Sequence, residues 1–260
     1  MALIRCDFFS DALELSTSMS VILPQRVRTR IGTDEPPPSD EAPPVLYLLH
    51  GLSDDDTIWS RRTSIERYAE ALGLAVVMPA VHRSFYTDMR HGGRYWTFVS
   101  EELPEIVAQL FRVSTDRERT FVAGLSMGGY GALQLALRRP ERFAAAASLS
   151  GALDLDALRA RGDRDETLRL VLGDEPVRGT QGDLSHLLAE ADVDALPRLF
   201  VACGTQDVLV GQSHRFVEQA TARGVAVTQS YASADHTWDY WDEVVQEVLA
   251  WLPLDSGTAA

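Results

Sequence analysis

At 260 residues, 45% of them hydrophobic, the chain can bury one large core and is far from a disordered composition. Its 24 basic residues against 38 acidic ones leave a formal charge of -14, which repels phosphate backbones and anionic lipids and argues against nucleic-acid or membrane partners. No run approaches the roughly 18 apolar residues of a spanning helix, and "MALIRCDFFSDALELSTSMSVILPQ" lacks the continuous apolar stretch of a secretory signal. The expectation is a cytoplasmic protein with Cys6 and Cys203 as reduced thiols.

In chain order, "SMSVILPQRV" reads as an early strand, with Pro24 pointing to an edge or a bend. The proline-rich acidic stretch 32–44, "GTDEPPPSDEAPP", cannot continue a ladder. "VLYLLHG" (45–51) and "LAVVMPA" (74–80) are apolar runs of the kind buried on both faces of a parallel sheet. Between them Ile65, Tyr68, Ala69 and Leu72 have helical spacing, as do Leu103, Val107, Leu110 and Phe111 further on. "RTFVAGLS", "FAAAASLSG", "RLFVACGTQD" and "VAVTQSY" read as further strands. They alternate with helices over "YGALQLALRRP", from about Ser213 to Ala222, and over "DYWDEVVQEVLAWL". This alternation predicts an α/β fold spanning 1–260, with a mostly parallel central sheet covered by helices on both faces. Residues 154–196 offer helical turns without a strand and are expected as a short cap-like insertion over the active site.

"VAGLSMGGYGAL" (122–133) places Ser126 in G-x-S-x-G, between an apolar strand and an amphipathic helix. At a tight strand-to-helix turn, glycines on either side remove side chains that would collide, and the serine hydroxyl is held out of the sheet edge. A phosphate cradle is disfavoured, because no G-x-x-x-x-G-K-[ST] is present. A plain glycine turn is the structural alternative.

A serine nucleophile needs a base, and the base an orienting acid. His236, in the loop after the last strand, is the candidate base; His50, His82 and His91 precede the serine, and His186 and His214 lie elsewhere. Asp207, beyond the Gly204 turn, is the candidate acid, with Asp235 and Glu218 as competitors. The oxyanion donors are expected at the backbone N–H of Met127 and of Leu52, where Gly51 lets the chain turn; His50 reads as a loop brace. Gly51, Trp59, Phe85, Tyr86 and Trp96 are candidates for the pocket wall, although large aromatics serve equally well as core. Asp54, Asp55 and Asp56 resemble a solvated loop more than a metal site, and no metal or cofactor is expected.

The blocks "YLLHGLSDDDTIW", "IERYAE", "VVMP", "FYTD", "EELPEIV", "FVAGLSMGGYGALQLAL", "SLSGAL", "CGTQD" and "DHTWDYW" run in order through residues 3–252. In them the chain resembles the esterase D-like family of α/β-hydrolases (S-formylglutathione hydrolases and tributyrin esterases), and within it the tributyrin-esterase branch. The resemblance implies a serine carboxylesterase that hydrolyses short-chain acyl esters through an acyl-enzyme. It implies a triad on Ser126, Asp207 and His236 and oxyanion donors at Leu52 and Met127. It also implies a small-molecule ester as partner, without a cofactor; a homo-oligomer is compatible with it. Family relatives include S-formylglutathione hydrolases, feruloyl and acetylxylan esterases and mycolyltransferases. The proline-rich stretch departs from the branch, as do Arg83, Arg90 and Arg94, which add positive charge where substrate is expected. A thioesterase of the S-formylglutathione type, a carbohydrate acetyl or feruloyl esterase, acyl transfer to carbohydrate or peroxide, and a non-catalytic binding protein on a hydrolase fold are the alternatives.

Overall fold

The computed structural model describes residues 1–25, 41–162 and 164–254, so most of the proline-rich stretch 32–44 lies outside the described residues. The strands are β1 (Ala2–Ser10), β2 (Leu15–Leu23), β3 (Val45–Leu49), β4 (Ala75–Pro79), β5 (Thr120–Leu125), β6 (Ala145–Leu149), β7 (Arg198–Gly204) and β8 (Val227–Ala232). They form one sheet in the order β1-β2-β4-β3-β5-β6-β7-β8. The β1–β2 and β2–β4 pairs are antiparallel and every other pair is parallel. The helices before the middle of the chain are α1 (Ile58–Arg62), α2 (Ile65–Ala71), α3 (Tyr95–Thr97), α4 (Leu103–Leu110) and α5 (Met127–Arg138). After it come α6 (Leu155–Ala160), α7 (Asp165–Leu172), α8 (Leu184–Glu190), α9 (Val210–Ala222) and α10 (Trp238–Trp251).

Strands β3 to β6 are buried along their whole length, as parallel strands covered on both faces must be. Alternate side chains feed two cores. Val45, Tyr47 and Leu49 join the core under α4, α5, α8 and α9, while Leu46 and Leu48 join the one under α1, α2 and α10. Pro24 does not put β2 at the edge. It falls just beyond β2, where its missing N–H breaks no ladder bond, and β1 forms the edge with one face alternately exposed.

Helix α9 starts three residues earlier than its apolar spacing suggests. The Asp207 carboxylate accepts the Leu209 N–H at 2.9 Å and the Asp207 carbonyl accepts the Val210 N–H at 3.0 Å, which begins the first turn. Within 154–196, α8 buries Leu184, Leu187 and Leu188 against α5 and α9, and α7 receives the Arg90 and His91 N–H groups on the Val171 and Leu170 carbonyls.

Register sets up the functional edge. Leu49, Gly124, Ser148 and Val201 lie in one row across β3, β5, β6 and β7. The residues that follow this row all emerge at the carboxyl edge of the parallel strands: His50 after β3, Ser126 after β5, Ser150 after β6 and Asp207 after β7. His236 follows β8 at the same edge.

Candidate active site

Ser126 caps α5 with φ 54° and ψ -114°, a left-handed conformation that costs a side chain roughly 1–3 kcal/mol and survives only when its surroundings hold it. They do. Its N–H donates to the Leu149 carbonyl at 2.9 Å, and its carbonyl accepts from Ala152 at 3.1 Å, so the elbow is tied to the end of β6. The flanking glycines are required by contact: a Cβ on Gly124 would strike the Gly128 carbonyl, and one on Gly128 would strike the Leu49 and His50 carbonyls.

The His236 ring bridges two of the expected partners, with Nε2 3.1 Å from Ser126 Oγ and Nδ1 2.7 Å from Asp207 Oδ2. The Asp207 side chain is fully buried, while His236 keeps 30% of its side-chain surface. Burial alone would raise the Asp207 carboxyl; the hydrogen bond and charge of His236, with the Leu209 N–H and the Ser150 hydroxyl, overcome it and hold the group below its usual range. Asp235 accepts the His236 backbone N–H instead of the ring, and Glu218 is exposed on α9. Among the other histidines, His214 stacks edge-on with Tyr231 and His82 with Tyr95.

His50 has the geometry of a brace. Its Nε2 accepts the Val81 N–H at 3.0 Å, so the proton sits on Nδ1, which donates to the Gly51 carbonyl at 2.7 Å. The His50 carbonyl accepts the Tyr86 hydroxyl at 2.9 Å. Burial pushes its pKa down to about 4, so the ring stays neutral. This locks the turn that carries Leu52. Among the described residues no acceptor is bonded to the N–H of Leu52 or of Met127, and both residues line the cleft with Ser126. A Cβ on Gly51 would press on the ends of the Leu125 and Asp54 side chains, which would have to shift.

The cleft holds about 400 Å³. Of the expected wall, Gly51 and Phe85 line it; Trp59, Tyr86 and Trp96 do not. Trp59 is wholly buried beneath β3, donating to the Leu49 carbonyl at 3.1 Å, and Tyr86 braces His50. Trp96 packs under the Arg138 guanidinium. Their places are taken by Trp238 and Trp241 at the start of α10 and by Leu158, Val208 and Leu209. Arg83, Arg90 and Arg94 are exposed outside the cleft, whose basic wall residues are instead Arg161 and Arg164. A tryptophan pair directly after a candidate base, in "DHTWDYW", was the available signal for Trp238 and Trp241. The three acids diverge: Asp54 lines the cleft, Asp55 accepts from Thr57, and Asp56 is buried under the hydroxyls of Ser18 and Ser20.

Residues 10–252 match the Esterase family, described as "Putative esterase". The chain belongs to this family. This esterase is 28% identical to an acetyl esterase of Caldicellulosiruptor saccharolyticus over 97% of its own length and 98% of that protein's. It is similar to the substrate-bound structure of the fluorophosphonate-binding serine hydrolase F of Staphylococcus aureus, with 33% identity, 98% and 99% coverage and a TM-score of 0.89. It is also similar to the S-formylglutathione hydrolase of Staphylococcus aureus, with 32% identity, 97% and 98% coverage and a TM-score of 0.85. The sheet, the helices and these likenesses make it a serine esterase, a carboxylic ester hydrolase of the α/β-hydrolase fold. No helix among the described residues is long and apolar enough to cross a membrane.

Proposed function

We propose that Ser126, His236 and Asp207 are the catalytic triad and that the esterase hydrolyses small esters with short acyl chains, as members of the tributyrin-esterase branch do. The observation that carries this reading is the continuous line from Ser126 Oγ through the His236 ring to Asp207, at 3.1 and 2.7 Å. His236 Nε2 takes the hydroxyl proton as Ser126 attacks the ester carbonyl, and Asp207 keeps the other ring proton on Nδ1 and stabilises the imidazolium. The N–H groups of Leu52 and Met127 receive the oxyanion. The imidazolium then protonates the leaving alcohol, and water repeats the attack on the acyl-enzyme. No cofactor enters these steps.

A short acyl chain is favoured by a cleft of about 400 Å³ walled by Phe85, Leu158, Trp238 and Trp241. Residues 154–196 act as a small cap through Leu158 and its neighbours, and the relative named acetyl esterase points the same way. A second reading, thioester hydrolysis with an anionic leaving group, is favoured by Arg161 and Arg164 in the cleft wall and by the relative named S-formylglutathione hydrolase.

Ser126→Ala and His236→Ala should each lower kcat on a p-nitrophenyl ester about 10³-fold or more, with the double variant scarcely worse than either single one. Losses that multiply in the double variant would show that the two side chains do not share a step.

A further inference from the structure

The carboxylate that faces His236 is itself held from behind. Ser150 follows β6 directly, is fully buried, and sits at φ 49° with its N–H donating to the Ala202 carbonyl at 2.7 Å. Its Oγ accepts the indole N–H of Trp241 at 3.2 Å and is approached by the Cys203 thiol at 4.0 Å. With donors on both lone pairs, the hydroxyl's own proton is left for an acceptor. The acceptor this points to is the buried carboxylate of Asp207, which follows the neighbouring strand β7 and whose own hydrogen bonds come from the Leu209 N–H and from His236. A buried anion attracts such a donor far more strongly than a neutral thiol does.

We propose that Ser150, oriented by the Trp241 indole, is a positioning residue that holds the Asp207 carboxylate in register with His236. Trp241 joins the device twice, because its ring also packs edge-on against His236 at 4.8 Å. The proposal rests on the triad reading above. It explains why a serine occupies a left-handed position where glycine would be relaxed: the hydroxyl is needed there.

Several titratable groups surround the Asp207–His236 pair. Cys203 faces it from β7, with burial pushing the thiol up to about 12, and Tyr240 faces it from α10, raised by burial, so both stay neutral through the working range. Asp235 binds the His236 backbone, and Asp54, Arg161 and Arg164 share the cleft. Cys203 loses its contact when Ser150 is altered, which raises the thiol further and leaves it neutral. A carboxylate that loses a donor becomes more basic and holds an imidazolium more tightly. Removing the Ser150 hydroxyl should therefore move the acid limb of the kcat/KM–pH profile upward.

The test compares Ser150→Gly, Ser150→Ala and Ser126→Ala in the full chain, with a short-chain p-nitrophenyl ester. Glycine relieves the φ of 49°, so Ser150→Gly keeps the fold while losing the hydroxyl. Both Ser150 variants should lose about tenfold in kcat, keep KM within about twofold, and shift the acid limb upward by about half a pH unit. An unshifted limb would overturn the proposal, whether kcat holds or falls with thermal stability, and would leave Ser150 a packing residue. A loss confined to KM would overturn it too. If Ser126→Ala stays active, the triad reading itself fails; if it is inactive while Ser150→Gly behaves as wild type, only the role of Ser150 fails.

Discussion

Two regions meet at the cleft and are built in opposite ways. The floor is the row of strand ends, where Ser126, His50 and Asp207 are held by backbone hydrogen bonds and the tight seats of Gly124 and Gly128. The wall is made of side chains on helices and loops: Leu158, Arg161 and Arg164 around the end of α6, and Val208, which is 67% exposed. The floor has little freedom, because each group there directly follows a strand end and a Cβ at Gly124 or Gly128 would collide with main chain. The wall can change residue by residue without touching the sheet. On the proposed reading the chemistry belongs to the first region and the choice of substrate to the second, so substitutions in the two should fail in different kinetic constants.

The sharpest way to break this contrast lies in the floor. Asp207→Asn keeps the shape but removes the acceptor that holds the His236 tautomer, and kcat should fall by about 10² to 10⁴ with KM little changed. The Asp235 carboxylate accepts the neighbouring His236 backbone N–H rather than the ring, so Asp235→Asn should cost less than about tenfold. Steady-state rates of the two variants decide it; the reverse ranking would reassign the acid.

The floor was legible in the sequence where its chemistry is local. Ser126 and its glycines form one short motif, and the order of strands places Asp207 and His236 at the same edge once a parallel sheet is recognised. The wall was far less legible. Trp59, Tyr86 and Trp96 are as large and apolar as Trp238 and Trp241, and composition cannot say which aromatic turns into the core and which into the cleft. Arg83, Arg90 and Arg94 precede the motif in a segment of which Phe85 lines the cleft and the three arginines do not, while Arg161 and Arg164 belong to a stretch whose placement depends on how α6 and α7 pack. Of the two readings of Pro24, an edge or a bend, the edge fails for a related reason: proline excludes a ladder bond only at its own position, and β1 carries the alternation that marks an edge.

Acid should loosen the floor before it touches the wall. His50 is buried neutral with its pKa lowered to about 4, below the value of roughly 6.5 expected for an unfolded chain. Between those values the unfolded state binds the extra proton, so His50 removes stability as pH falls from about 6.5 toward 4, by up to about 3 kcal/mol. Protonation would set a second donor against the Val81 N–H and break the turn carrying Leu52. Urea unfolding at several pH values should show this slope in the wild type and a shallower one in His50→Asn. Parallel slopes would mean that the brace tolerates a charge.

The wall should respond more gently, and mainly in kcat/KM. Each methylene that fits the cleft gains about 0.8 kcal/mol, but one that must displace packed side chains costs about 1–3 kcal/mol. Along a p-nitrophenyl ester series below the micellar limit, kcat/KM should peak between acetyl and butyryl and fall about tenfold by octanoyl. A maximum at octanoyl or longer would mean that the segment around α6 opens as a flap. Charge is the finer probe of the same wall. Arg161 and Arg164 are exposed, so their attraction for a carboxylate on the substrate is screened and worth about 1 kcal/mol or less. Arg161→Gln and Arg164→Gln should therefore raise KM about threefold for a carboxylate-bearing ester, leave its neutral analogue unchanged, and lose this difference in high salt. Equal effects on both esters would remove the arginines from substrate choice and leave the wall discriminating by shape alone.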